Sequence, residues 1–252
     1  MIRSLLFQIY MTIGTLIIGV AGLPVLFLDA EKKLRFCQGW CRTMLKGLKW
    51  INGIKVDIHG EKNIPADGAI IAANHQSMWE TMQLFAILPK PVMVLKQELL
   101  NIPLFGLWLR ASGCIAIDRS AGAKAMRHLI EQAKIATAQG GQIIIFPEGT
   151  RSKPGTLAPL KPGIAGIYTA TGVACLPVGH DSGRYWHFPG NRKSTGTIIL
   201  NFAQTIPPGL ARKNFMAQLE QRMHQARPDL QHSQRALAED NTFDRSFTAT
   251  SI

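Results

Sequence analysis

Two short polar runs in this chain hold the side chains best suited to chemistry. One is Asn74-His75-Gln76-Ser77-Met78-Trp79-Glu80 and the other is Pro147-Glu148-Gly149-Thr150-Arg151-Ser152, and each follows an apolar, β-branched stretch. On a regular helix, residues five positions apart sit about 140° apart and do not face each other. The spacing therefore predicts His75 on a turn ahead of a helix capped near Ser77, with Glu80 in its first turn. From there the carboxylate accepts a hydrogen bond from one imidazole nitrogen and leaves the other as a base, the arrangement of nucleophile-activating triads. A structural reading competes for the same residues, because Ser77-Met78-Trp79-Glu80 also fits a capping box that satisfies free helix N–H groups. Capping and catalysis can share Glu80, one carboxylate then serving both partners. The Pro-Glu-Gly-Thr run is likewise compatible with ordinary turn chemistry.

Such loops need rigid elements to hold them. Short apolar runs recur at 54–58, 69–73, 91–95, 114–117, 142–146, 173–178 and 197–202, and helical spacing at 77–88, 99–110, 122–139 and 163–170. The alternation predicts an α/β domain with a largely parallel sheet flanked by helices on both faces. In such sheets chemistry sits on loops leaving the C-terminal strand ends, where both polar runs fall. A surface helix carrying Phe215, Leu219 and Met223 is expected from Leu210 to Arg227. The expected division is membrane-anchoring helices over 1–52, the α/β domain over 53–228, and a polar, mobile tail over 229–252.

Composition narrows the partners. Twenty-eight Lys and Arg against sixteen Asp and Glu give a net charge of +12, yet only 17% of residues are charged and 46% are hydrophobic. Few charges with a positive excess favour an anionic membrane surface or substrate over nucleic acid, for which no readout module is present. Residues 4–28 carry no charge, and at about 1.5 Å per residue such a helix reaches across a hydrocarbon core of about 30 Å. The run exceeds the ~7 to 15 apolar residues of a secretory signal, so an anchor is expected. Lys32, Lys33, Arg35, Arg42 and Lys46 follow it and place the catalytic domain on the cytoplasmic face of the cell membrane. The amphipathic stretch 34–51 either packs on the domain or lies in the headgroup layer, and with the first segment it forms a span or an anchoring hairpin. Cys37, Cys41, Cys114 and Cys175 lack the second ligand pair of a zinc site and read as buried thiols in a reducing compartment.

In ordered combination these residues resemble the glycerolipid acyltransferases, and within them the 1-acyl-sn-glycerol-3-phosphate acyltransferases, which make phosphatidate. The family's Asn-His-x-x-x-x-Asp/Glu is matched by Asn74, His75 and Glu80, with Glu where most members have Asp. Its Lys-x-Glu-Leu resembles Lys96, Glu98 and Leu99, followed by Pro103, Phe105 and Gly106. A second block is similar to 113–119, ending Ile117-Asp118-Arg119. The third, Phe-Pro-Glu-Gly-Thr-Arg-Ser, is matched in full by residues 146–152, and the fourth resembles Leu176-Pro177-Val178. The likeness covers about residues 50 to 205.

The resemblance implies transfer of a fatty acyl group from acyl-CoA or acyl carrier protein to the free hydroxyl of lysophosphatidate, with no cofactor or metal. His75 then acts as general base and Glu80 orients it. Arg151 grips the acceptor's phosphate with Lys96 and Arg119 as helpers, Gly149 and Thr150 complete the binding turn, and Glu148 holds Arg151 or meets the glycerol hydroxyl. Residues between Leu99 and Leu109 line an acyl channel or face the bilayer. Two readings compete: another lysolipid acceptor, including one built on an amino acid, and a non-catalytic membrane-surface scaffold. A scaffold needs charge but no general base. A hydrolase is disfavoured because Gly-x-Ser-x-Gly and His-Glu-x-x-His are absent.

Overall fold

The computed structural model describes residues 1–231 of the chain. Its seven strands are β1 (Ile54–His59), β2 (Ala69–Ala73), β3 (Pro91–Lys96), β4 (Ile115–Ile117), β5 (Gln142–Ile145), β6 (Cys175–His180) and β7 (Gly196–Phe202). They form one sheet in the order β1-β7-β6-β2-β5-β3-β4. Every neighbouring pair is parallel except β6 with β7. The central strand, β2, is buried along its whole length, as expected where both faces of a parallel sheet are covered. Ala72 lies opposite Ile145 of β5 and Pro177 of β6. That register brings the C-terminal ends of β2, β5 and β6 level, and the loops leaving them meet on one edge.

Alternation along each strand splits the core into two layers. Ala69, Ile71, Ala73, Ile144 and Val178 pack toward α1 (Ile2–Ala21), α2 (Ala30–Asn52) and α3 (Trp79–Ile87). Ile70, Ala72, Ile143 and Ile145 pack toward α5 (Ala123–Ala138), α6 (Gly163–Thr171) and α7 (Arg212–Ala226). On the second face Tyr168 of α6 stacks on Phe215 of α7 with ring centroids 3.8 Å apart.

Of the two readings of the amphipathic segment, the structure turns its apolar stripe inward. Cys41, Met44 and Leu48 of α2 are buried in the same cluster as the sheet, while Trp50 points out. The helix starts at Asp29, whose side chain accepts from the Lys32 N–H, and ends at Gly53 in the left-handed conformation. That geometry favours glycine because a Cβ is strained there. Helix α1 lies against α2 so closely that a Cβ on Gly47 would collide with the Tyr10 ring. Its 20 residues are long and apolar enough to cross a membrane: an 18-residue stretch within them has a mean hydropathy of 1.8, and only 11% of that stretch is buried in the protein.

Ahead of β1, α2 starts four residues before the expected 34, and the apolar run 4–28 is helical to Ala21 with a 3-10 turn, Leu23–Phe27, after it. From β1 onward, expected and observed element boundaries agree within about two residues except in one place. The helix expected over 99–110 is broken into a 3-10 turn, Gln97–Asn101, and a separate α4, Phe105–Ala111. Pro103 cannot continue a helix, and Leu104 takes a φ of 59°, alone among the described non-glycine residues in having a positive value. The expected tail also begins too early. Asp229 is buried and hydrogen-bonded to the rest of the domain, and only 232–252 of that tail lie outside the described residues.

Candidate active site

His75 sits on the loop between β2 and α3, as its spacing required. Asn74 before it is buried and pins this loop to the end of β6: its side-chain amide donates to the His180 carbonyl and accepts from the His180 N–H, both at 3.0 Å. The His180 imidazole returns a bond from Nε2 to the Asn74 carbonyl at 2.7 Å, while its Nδ1 faces the Ser182 N–H at 3.3 Å. These partners fix His180 as a neutral tautomer, in keeping with the burial that pushes its pKa down against the opposing charge of Glu80.

Helix α3 begins at Trp79, two residues later than expected, with Met78 and not Ser77 at the N-cap; Ser77, one residue ahead of it, still accepts from the Trp79 N–H at 3.0 Å. Glu80 is wholly buried and carries five hydrogen bonds. Its Oε1 lies 2.8 Å from His75 Nδ1 and accepts from the N–H groups of Gln76 and Ser77, also at 2.8 Å. Its Oε2 accepts from the hydroxyls of Ser77 and Ser182 at 2.7 and 2.8 Å. Capping and orientation thus share one carboxylate, one oxygen facing the imidazole and loop amides, the other two serines. Burial works against the charge, but the hydrogen bonds from His75 and the Ser77 hydroxyl oppose it and hold the carboxyl below the ordinary range; a neutral His180 adds no charge to that balance. An ionised Glu80 requires the proton of neutral His75 on Nδ1, which leaves the Nε2 lone pair free to accept a proton. The imidazole also stacks on Phe146, with centroids 4.3 Å apart, which fixes the ring plane.

His75 opens onto a cavity of about 580 Å³. One end is polar and cationic, lined by Lys96 at the end of β3, Arg119, Gly149, Thr150 and Arg151. The other is apolar and reaches Ile18 of α1, Phe36 and Trp40 of α2, Phe85 of α3 and Trp108 of α4. Arg151 lies under the Phe188 ring at 4.6 Å, and its buried Nε has no acceptor among the described residues. Arg119 reaches across to the Gly149 carbonyl at 2.6 Å. Gly149 has a φ of 77°, a left-handed turn that aims the next two residues at the cavity. Of the expected channel residues, Leu99, Phe105, Trp108 and Leu109 line the apolar part, whereas Leu104 packs on Gly19 of α1.

Glu148 departs from expectation. It is buried, does not line the cavity and does not hold Arg151; its nearest cation is Arg227 at 3.7 Å. Burial pushes its carboxyl up, and its Oε2 has no partner among the described residues. The two loops are tied directly by Ser152, whose N–H donates to the His75 carbonyl at 2.8 Å.

Residues 55–181 match the family model described as Acyltransferase. Over 199 residues the chain is 34% identical to a 1-acyl-sn-glycerol-3-phosphate acyltransferase of Pseudomonas aeruginosa, covering 78% of this chain and 77% of that one. The chain belongs to the acyltransferase family. It is also 31% identical over 139 residues to the human 1-acyl-sn-glycerol-3-phosphate acyltransferase alpha, covering 54% of this chain and 49% of that longer protein. The fold of this acyltransferase resembles the crystal structure of the 1-acyl-sn-glycerophosphate (LPA) acyltransferase PlsC from Thermotoga maritima. The TM-score is 0.76 at 22% identity, over 89% of this chain and 93% of that one.

Sequence reasoning missed Ser182, His180, Phe188, Arg227 and Asp229. Each lies far along the chain from the loop it supports, as Ser182 does from Glu80 at 102 positions. A local motif carries no signal for such a partner. The one available hint for Arg227 and Asp229 is a pair of opposite charges flanking Pro228 just past the last helix.

Proposed function

We propose that this acyltransferase moves a fatty acyl group from an acyl thioester, acyl-CoA or acyl carrier protein, to the free hydroxyl of 1-acyl-sn-glycerol-3-phosphate, giving phosphatidate. One observation carries the reading: a base prepared by a buried carboxylate opens on a cavity that is cationic at one end and apolar at the other. Lysophosphatidate is a phosphate joined to a long apolar tail, and both donors carry a second such tail.

His75 Nε2 takes the hydroxyl proton as the oxygen attacks the thioester carbonyl, and Glu80 stabilises the imidazolium that forms. Collapse of the tetrahedral intermediate breaks the C–S bond, and the departing thiolate recovers the proton from His75. Products are phosphatidate and the free thiol. Arg151 supplies the planar fork for the phosphate, with Lys96 and Arg119 beside it. The exposed apolar side chains of α1, among them Leu5, Leu6, Ile9, Ile13 and Ile17, anchor the protein in the cell membrane, with the catalytic domain on its cytoplasmic face. A different lysolipid acceptor is the second reading, since the same cationic pocket receives any phosphate-bearing headgroup.

The test is acyl transfer in detergent from labelled acyl-CoA or acyl carrier protein to lysophosphatidate, with His75→Ala alongside. Wild type forms phosphatidate, and the variant is slower by about 10² to 10⁴-fold. Product formed equally by both would move the chemistry away from His75, and none from a folded wild type with either donor would point to another acceptor.

A further inference from the structure

Two charged side chains after α7, Arg227 and Asp229, are buried beneath the catalytic loops with 2% of their surface exposed, and the transfer step uses neither. They face each other as a fork, Arg227 Nε to Asp229 Oδ1 at 3.1 Å and Nη2 to Oδ2 at 2.7 Å. The same Oδ2 accepts from the Gln76 side-chain amide at 2.8 Å and from the Gly155 N–H at 2.8 Å. Gln76 follows the general base, and Gly155 follows the loop that carries Arg151. One carboxylate oxygen therefore joins the two loops. Arg227 adds bonds to the second loop, donating to the Thr156 carbonyl at 3.0 Å and lying 3.7 Å from Glu148. Gln76 is held from the far side as well, its Oε1 accepting from the Gly183 N–H at 3.0 Å.

We propose that Arg227 and Asp229 form a positioning clamp that fixes the distance between the general base and the phosphate grip, so that seating an acceptor's phosphate aligns its hydroxyl with His75. The inference rests on the lysophosphatidate reading. Its force comes from geometry. The Ser152 N–H and hydroxyl both meet the one His75 carbonyl, at 2.8 and 3.3 Å, and the Asp229 bridge through Gln76 and Gly155 adds a tie at a different point of each loop, which restrains rotation about the first. A buried ion pair is a poor way to gain stability alone, because desolvation offsets much of the attraction. It does supply direction, with each loop receiving hydrogen bonds of set length and angle. Glu148 takes a different role in this arrangement from the one its motif suggested: it is a foot of the clamp on the second loop, set back from the cavity lining.

The test compares kcat/KM for lysophosphatidate with kcat/KM for 1-acylglycerol, which keeps the hydroxyl and tail but lacks the phosphate. Asp229→Asn keeps the shape and turns one carboxylate oxygen into a donor facing other donors. In that variant the preference for the phosphate-bearing acceptor falls about tenfold, the scale expected when reacting groups lose alignment. Gln76→Ala removes one hydrogen bond and no charge, and it carries the test if Asp229→Asn does not fold. It lowers the same ratio, and the double variant is no worse than the more damaged single one, as for two parts of one device. A preference unchanged in folded variants overturns the clamp alone. A wild type with no preference for the phosphate overturns the acceptor reading and the clamp with it.

Discussion

In the loop after β2, Glu80 meets five hydrogen-bond donors, whereas in the loop after β5 the Arg151 guanidinium keeps a buried Nε without an acceptor. On the proposed function the contrast follows from what each loop would do. A general base has to be in the correct tautomer and orientation before substrate arrives, so its supporting bonds are all made in advance. A phosphate grip has to keep donors unspent, and leaving a buried donor unmet costs about 1 to 3 kcal/mol until an anion replaces the missing partner. On that reading, completeness marks the machinery of the step, and incompleteness marks the place of the ligand.

Among changes to the residues that support His75, the largest effect is expected from Glu80→Gln. The amide can still meet the loop N–H groups but has no charge to hold against the imidazolium, and kcat should fall by about 10² to 10³-fold with little change in KM. Full activity in that variant, measured at saturating acceptor, would show the carboxylate to be a cap only. Glu80→Asp is expected to cost about tenfold, because an acid one methylene shorter cannot reach His75 and the Ser182 hydroxyl together. Retention of wild-type kcat there would mean that the Ser182 bond is incidental. Ser77→Ala should lower stability by about 1 kcal/mol through loss of the bond it accepts from the Trp79 N–H, read as a shift of the denaturant midpoint, with a modest loss of rate.

Acid stability gives the smallest signal. Glu80 is held below its ordinary value of 4.5, so its contribution is present above that pH and is lost as pH falls below it. Between about pH 6 and about pH 3 the wild-type Tm should therefore drop further than that of Glu80→Gln. Parallel curves would show that the charge of Glu80 does not support the fold.

The same contrast separates what was legible in the sequence from what was not. His75, Glu80 and Arg151 could be read because each lies within a few residues of the strand end that presents it, and Ala-Ile-Ile-Ala-Ala and Gln-Ile-Ile-Ile announce those strands by composition. Pro103 carried a warning that the helical spacing over 99–110 overrode, and the structure broke that helix beside it. Ser182, Asp229 and the Arg227 partner of Glu148 arrive from distant segments through the register of β6 and the return of α7. No periodicity links them to the residues they hold, so they became visible only once the sheet order placed those ends together.

The most direct test of the comparison pairs His75→Ala with Arg151→Ala on lysophosphatidate and 1-acylglycerol. Loss of the base should slow both acceptors by a similar factor of about 10² to 10⁴. Loss of the guanidinium should raise KM for lysophosphatidate by about 10 to 100-fold, the worth of a charge-assisted bond, and leave KM for 1-acylglycerol and for the acyl donor nearly unchanged. Equal damage to both acceptors from Arg151→Ala would contradict the account, because the second loop would then belong to the chemistry and not to recognition of the phosphate.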